Sequence, residues 1–182
     1  MLNKILELTR MSLKTKTILI AVTSAILLIL FLTQKQIFIF LLVTAISIAI
    51  SVIIGFFSPL KLLGVELVTF STIIAGSFFG SAFAAVFGVC LLVIHLIVSR
   101  YTGGPYLVWT IPSYIILGIL SGFLTDVRLL IAMVVGVIVL DNVFTLTFYR
   151  ENYMKTLIFS IGNITFNVLL LLNVYGFVTG LV

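Results

Sequence analysis

Charged residues are scarce in this sequence. Its 182 residues include 10 lysines and arginines and 5 aspartates and glutamates, so 8% are charged, whereas 63% are hydrophobic. A soluble domain has about 25% charged residues. This composition leaves too little polar surface to face water on all sides, which excludes a water-soluble globular domain. Lipid must therefore surround most of the chain, and the bilayer is the first partner that the sequence predicts.

Cysteine and histidine are nearly absent, with one of each at Cys90 and His95. A lone cysteine cannot form an intrachain disulfide, and this pair cannot build a zinc cluster. The catalytic motifs GxSxG, HExxH and the P-loop are missing, and no two carboxylates share a predicted helix at close spacing. We therefore predict that the protein is not an enzyme and has no metal or cofactor site.

The basic residues stand singly at the ends of apolar runs, although the net charge is +5. Four of them lie within the first sixteen residues: Lys4, Arg10, Lys14 and Lys16. This pattern is typical of interfacial anchors and topology signals in membrane proteins. We therefore expect no nucleic-acid partner.

Long apolar runs joined by short polar turns indicate successive transmembrane helices, each of roughly 20 residues. Residues 1–16 predict an amphipathic interfacial segment, and residues 17–182 a single transmembrane helical domain. The sequence thus predicts an all-α integral membrane protein, a compact bundle of seven helices, or of six if residues 76–81 do not turn. Glycine and serine favour that turn. The other spans are expected at residues 17–32, 37–57, 106–124, 129–148 and 156–178.

The basic residues also predict an orientation, because lysine and arginine favour cytoplasmic loops. With seven spans and a cytoplasmic N-terminus, only Lys35 and Arg128 fall outside. The other eight fall inside: Lys4, Arg10, Lys14, Lys16, Lys61, Arg100, Arg150 and Lys155. This distribution predicts a C-terminus outside the cell and depends on a reversal at residues 76–81.

Asp141 is the most informative polar residue, since it lies in the apolar segment GVIVLDNVFTLTF beside Asn142. A charge at that depth costs about 2.5 kcal/mol or more, so it must face the bundle interior, a partner or water. The functional interpretation is a ligand or ion site. The alternatives are a structural polar contact within the bundle, or a helix end that lies closer to the membrane interface.

Other polar residues allow the same two interpretations. Asn163 and Asn167 share one helix face and could bind a polar ligand or link helices. His95, near a span end, could pair helices or contact a ligand. The cluster of Arg100, Tyr106 and Trp109 could be an interfacial aromatic belt or the rim of a pocket for a flat polar ligand.

Two further patterns concern helix ends and packing. Glu66 begins a span, where a carboxylate favours a helix N-terminus. Small residues four apart recur on successive spans and predict close helix packing. These pairs are Ala45 and Ala49, Gly76 and Gly80, Ala84 and Gly88, and Gly118 and Gly122.

Residues 42–123 resemble the substrate-binding S component of energy-coupling factor (ECF) transporters, which take up vitamins and related micronutrients. The segments that carry the resemblance are VTAISIAISVI, ELVTFSTIIAGSFFGSAFAAVFGVCLLVIHLIV and PYLVWTIPSYIILGILSGFL. In that family an AxxxA motif on the first core helix contacts a coupling subunit, and Ala45 and Ala49 match it. A hydrophobic helix of the family ends in a glycine-rich turn, as residues 74–80 do here.

The resemblance implies a membrane-embedded solute-binding subunit of a micronutrient uptake transporter in the plasma membrane. The implied partners are a small organic solute, a transmembrane coupling subunit and ATPase subunits, because this chain has no P-loop. The family has six helices with both termini inside, so residues 17–32 would add a seventh. The alternative is a non-catalytic scaffold, such as a rod-shape-determining membrane subunit, which needs no ligand pocket.

Overall fold

The computed structural model describes residues 13–100, 107–149 and 152–181, and all regular elements in these ranges are helices. The fold is therefore all-α, as predicted. The helices are α1 (Leu13–Thr33), α2 (Lys35–Phe56), α3 (Ser58–Leu62), α4 (Val68–Phe79), α5 (Ser81–Val98), α6 (Leu107–Ser121), α7 (Val127–Tyr149) and α8 (Tyr153–Leu170), followed by a π-helical turn (Leu171–Tyr175) and α9 (Gly176–Gly180).

Five helical segments are long and apolar enough to cross a membrane: α1, α2, α5, α7 and the continuous segment from α8 to α9. Helices α4 and α6 are also apolar, with 12 and 15 residues. At 1.5 Å per residue they reach about 18 and 22 Å, less than the roughly 30 Å of the hydrocarbon core. The chain is a multi-pass membrane protein, and the described ranges contain the seven apolar helices that the sequence predicts.

The chain divides into two units, one that ends at Ile39 and one that begins at Phe40. In the first unit, the rings of Phe31 and Phe38 meet edge to face at 5.3 Å. The predicted amphipathic segment over residues 1–16 lies outside the described residues, except for residues 13–16, which belong to α1.

The chain reverses between α4 and α5 at Gly80, whose φ of 85° suits glycine far better than any other residue. Thr72 lies eight residues before Gly80, and Gly88 lies eight residues after it. A Cβ built on Gly88 would lie 2.7 Å from the Thr72 methyl group, so the two helices pack side by side. This antiparallel hairpin confirms the predicted reversal at residues 76–81.

Glycines let α6 pack directly on this hairpin. A Cβ on Gly118 would lie 2.5 Å from the Cα atom of Ala85 on α5, and one on Gly76 would lie 2.8 Å from the Ser121 backbone. Gly122 approaches the backbone of Ser81 with similar closeness. Three of the small-residue pairs predicted from the sequence thus contribute residues to close contacts among α4, α5 and α6.

Candidate functional site

A cavity of about 440 Å³ opens in the second unit at one end of the bundle. Helices α2 to α8 all contribute to its wall, through the ends of α2, α5 and α7 and the beginnings of α4, α6 and α8. Consecutive spans run in opposite directions, so these termini meet at the same end. The volume falls in the range of about 300–1,000 Å³ that is typical of small-molecule sites.

Four of the eight residues that the sequence offers as ligand contacts line this cavity: Asp141, Asn142, Asn163 and His95. The structure therefore brings together polar side chains from α5, α7 and α8 that are up to 68 positions apart in the chain. The predicted polar residues thus share a common location.

Three other candidates lie away from the cavity wall. Trp109 stacks on Phe144, with ring centroids 4.7 Å apart, and its indole Nε1 is buried without a hydrogen-bond partner. The guanidinium of Arg100 lies 5.1 Å from the centre of the Phe56 ring, a cation–π contact. Asn167 is buried further along α8. Tyr106 lies outside the described residues.

Asp141 accepts hydrogen bonds from two hydroxyl groups on the facing helix α6. The Thr110 Oγ1 lies 3.1 Å from one carboxylate oxygen and 3.3 Å from the other, and the Ser113 Oγ lies 3.5 Å from the first. Ser113 also donates to the Trp109 carbonyl at 3.0 Å, so its contribution to the carboxylate is weaker. Asp141 thus joins α7 to α6 and also forms part of the cavity wall.

Glu66, the second carboxylate of the cavity, caps the N-terminus of α4. Its side chain accepts hydrogen bonds from the backbone amides of Val68 and Thr69, and from the Thr69 hydroxyl at 2.6 Å. The Tyr114 hydroxyl lies 3.4 Å from the same carboxylate. This geometry confirms the predicted role at a helix N-terminus, where amide donors and the helix dipole stabilise negative charge.

We expect Glu66→Gln to lower the melting temperature of the purified protein, because it removes the charge that four donors surround in a buried position. The loss should be about 1–2 kcal/mol, as for other charged helix caps. Asp126→Asn is the matched control, since Asp126 accepts from the Arg128 amide at 2.8 Å in an exposed turn. Equal effects of the two substitutions, measured by thermal denaturation in the same detergent, would contradict the assigned role of Glu66.

His95 links α5 to α2 and also faces the cavity. Its Nδ1 lies 2.7 Å from the Ser51 Oγ, and that hydroxyl donates to the Ser47 carbonyl at 2.8 Å. One hydroxyl proton cannot serve both bonds, so when Ser51 donates to Ser47 the ring must donate from Nδ1. The helix-pairing interpretation of His95 is therefore confirmed, and its position on the cavity wall keeps ligand contact as a prediction.

The two asparagines of α8 pair with each other. The Asn167 amide donates to the Asn163 side-chain oxygen at 2.7 Å, while Asn163 lines the cavity and Asn167 lies beyond it. Gly64 makes this wall compact, because a Cβ at that position would lie 2.9 Å from the Asn163 Cβ. Its φ of 62° also favours glycine. The α3–α4 connection thus packs tightly against the middle of α8.

Sequence reasoning missed several polar residues of the cavity. Their positions at span ends predict only topology signals for Lys61 and Lys155, yet both line the wall. Thr110, Ser113 and Tyr114 also line it. Their spacing of three and four residues puts them on one face of α6, and this pattern was the available signal.

Within the described ranges, no group of three or more histidine, cysteine, aspartate or glutamate side chains could hold a metal ion. The wall instead combines carboxylates, lysines, amides, an imidazole and hydroxyls with apolar side chains. Such a surface can bind an amphipathic organic molecule by hydrogen bonds and charge. Comparisons with protein-family models, curated proteins and solved structures give no match for this chain.

Proposed function

We propose that this protein is the solute-binding membrane subunit of a micronutrient uptake transporter in the plasma membrane, similar to an ECF S component. The observation that carries the proposal is the cavity of about 440 Å³, to which seven helices contribute polar or apolar wall residues. Charged groups inside a membrane bundle are costly and mark ligand or ion pathways. Asp141, Lys61 and Glu66 all line the cavity, and these charges therefore favour solute binding.

The same observation weighs against a scaffold role. Protein interiors pack densely and leave few voids larger than a water molecule. A scaffold needs no cavity, and apolar residues in place of Asp141 and Asn142 would pack the bundle at lower cost. A solute-binding role explains both the volume and the polar wall.

In the proposed mechanism a small organic solute enters at the cavity end of the bundle. The hydroxyls of α6 and the polar side chains of α7 and α8 hold it by hydrogen bonds and charge. ATPase subunits on a separate coupling subunit then supply the energy for release on the other side of the bilayer. The exposed small residues Ala45 and Ala49 on α2 form the proposed docking face for that coupling subunit.

Ligand binding is testable by thermal shift, because a ligand that binds only the folded state raises its stability by RT ln(1 + [L]/Kd). We expect at least one compound of a vitamin panel to stabilise the purified protein. Asn142→Leu should abolish that shift. Asn173→Leu should not, since Asn173 makes the same bond to a carbonyl four residues back, at 2.8 Å compared with 2.7 Å, on an exposed surface.

The proposal fails if no panel compound shifts the melting temperature and no small molecule co-purifies with the protein from native membranes. Recovery of cell-envelope machinery instead of ATPase and coupling subunits in a native pull-down would favour the scaffold alternative.

Ala45→Leu and Ala49→Leu are expected to preserve folding and to reduce co-purification of the ATPase and coupling subunits at least several-fold. Both alanines are exposed on α2, and a leucine at either position would keep a partner helix from close approach. Ala82→Leu, at an exposed position of α5, is the control. Wild-type recovery of the partner subunits with both α2 variants would show that this face does not contact them.

A further inference from the structure

The two carboxylates of the cavity differ in how their charge is compensated. Glu66 is 6% exposed and accepts from two backbone amides and two hydroxyls at the beginning of α4. Among the residues that the structure describes, Asp141 accepts only from hydroxyls, at 3.1 Å or longer. Thr110 has one hydroxyl proton to share between the two Asp141 oxygens, so most of the acceptor capacity of this carboxylate remains unused.

No lysine or arginine of the described ranges forms an ion pair with Asp141. A carboxylate in the middle of a transmembrane helix normally faces a partner of opposite charge, because burial of an isolated charge costs several kcal/mol. The Asp141 carboxylate lines the cavity, so a positively charged group of a ligand could reach it there. The missing partner of Asp141 is thus expected on the ligand.

We propose that the solute carries a positively charged nitrogen, an ammonium or a cationic heterocycle, which binds to the Asp141 carboxylate. This inference rests on the proposed solute-binding function and specifies the chemistry of the solute. A charge-assisted hydrogen bond between the ligand nitrogen and the carboxylate supplies the compensation that the hydroxyls of α6 provide only in part.

The remainder of α7 indicates what adjoins that nitrogen. Val134, Val137 and Ile138 line the cavity at spacings of three and four residues, on the same helix face as Asp141. Together with Leu117 of α6, they form an apolar surface beside the carboxylate. The solute accordingly has an apolar or aromatic body next to its cationic group.

Lys61 and Lys155 line the same cavity from α3 and α8. They bring positive charge to its wall, and an anionic solute is therefore the competing outcome. A direct comparison of cationic, neutral and anionic compounds with the same body separates the two possibilities.

The test uses the full chain in lipid nanodiscs, dialysed against a mixture of amines, alcohols and carboxylic acids of matched size. Tryptamine, tryptophol and indole-3-acetate form one such set. Wild type, Asp141→Asn and Asp126→Asn are compared by mass spectrometry of the retained compounds. Asparagine preserves the shape and the Thr110 contact, and Asp126→Asn removes the same charge from an exposed turn at the opposite end of α7.

We expect the wild type and Asp126→Asn to retain chiefly cationic compounds, and Asp141→Asn to retain them at least about tenfold less, as for loss of a charge-assisted hydrogen bond. Preferential retention of neutral or anionic compounds by the wild type would overturn the inference, whatever the variants retain. Equal retention of cations by wild type and Asp141→Asn would also overturn it. If the wild type retains no compound of any class, the proposed solute-binding function is contradicted. That result differs from retention of the wrong class, which contradicts only the inference of a cationic solute.

Discussion

Gly118→Ala is expected to lower the free energy of unfolding by about 1–3 kcal/mol, the range for overpacked protein interiors. The new Cβ would lie 2.5 Å from both the Cα and the N atom of Ala85, so it meets the α5 backbone rather than a side chain that can move away. Helices α5 and α6 would have to separate. Thermal denaturation of the purified protein measures the effect.

Gly136→Ala is the matched control. Gly136 also lies within a transmembrane helix, but a Cβ there has no heavy atom within 4 Å. Alanine has the higher helix propensity, so this variant should be neutral or slightly more stable. Similar melting temperatures for the two variants would show that α5 and α6 are not in the close contact described here.

Gly118→Ala should also weaken the proposed solute binding. Helix α6 carries Thr110, Ser113 and Tyr114 to the cavity wall, and α5 carries His95. A change in the distance between these helices would displace hydroxyls that hydrogen-bond to Asp141 and Glu66. The packing of the glycines and the geometry of the cavity are therefore linked.

Much of the fold could be predicted because the apolar runs and their breaks have direct physical causes. The reversal at Gly80 follows from glycine and serine in an otherwise uninterrupted run, and α2 ends at Phe56, just before Ser58-Pro59. The sequence did not predict that Pro59 lies in the first turn of a short helix, α3. Proline is tolerated there because the N–H groups of a first turn have no hydrogen-bond partner within the helix.

Helix ends were predicted less well than helices. The last span was expected to begin at residue 156, but α8 begins at Tyr153, where the Asn152 side chain accepts from the Met154 amide at 3.0 Å. Asparagine is a strong N-cap, so the signal was present but was interpreted as a polar loop. Similarly, α4 begins only at Val68, because residues 63–67 form the connection that carries Glu66 to the cavity.

The site was predictable only where a polar residue interrupts an apolar run. Asp141, Asn142 and Asn163 stand out in this way, whereas Lys61 and Lys155 lie at span ends, where basic residues also serve as membrane anchors. Hydroxyl residues such as Ser113 are inconspicuous in apolar helices, because the hydroxyl can donate a hydrogen bond to the backbone carbonyl four residues earlier. Packing between helices decides which of these polar residues face a common cavity, and the periodicity of a single helix does not predict that packing.

The orientation of the cavity brings two expectations into conflict. The basic residues place the loops around Lys61, Arg100 and Lys155 in the cytoplasm, whereas capture for uptake requires the cavity end to face outside. Two of the eight residues in that count, Lys61 and Lys155, line the cavity wall, so the site offers a second reason for their position. Without these two, the count still favours a cytoplasmic N-terminus by six residues to two, so the uptake orientation, with the N-terminus outside and the C-terminus inside, follows from the proposed function alone.

Cysteine labelling of intact cells tests this orientation directly. In a Cys90→Ser background, Leu63→Cys lies beside the cavity at a 44% exposed position, and Thr125→Cys lies in the exposed turn before α7. A membrane-impermeant thiol reagent should label Leu63→Cys in intact cells and Thr125→Cys only after lysis. The reverse pattern would support the charge count and exclude uptake through this cavity. Because α4, α5 and α6 separate the two positions, labelling of both from the same side would instead show that one of these helices does not cross, and the seven-helix count would be wrong.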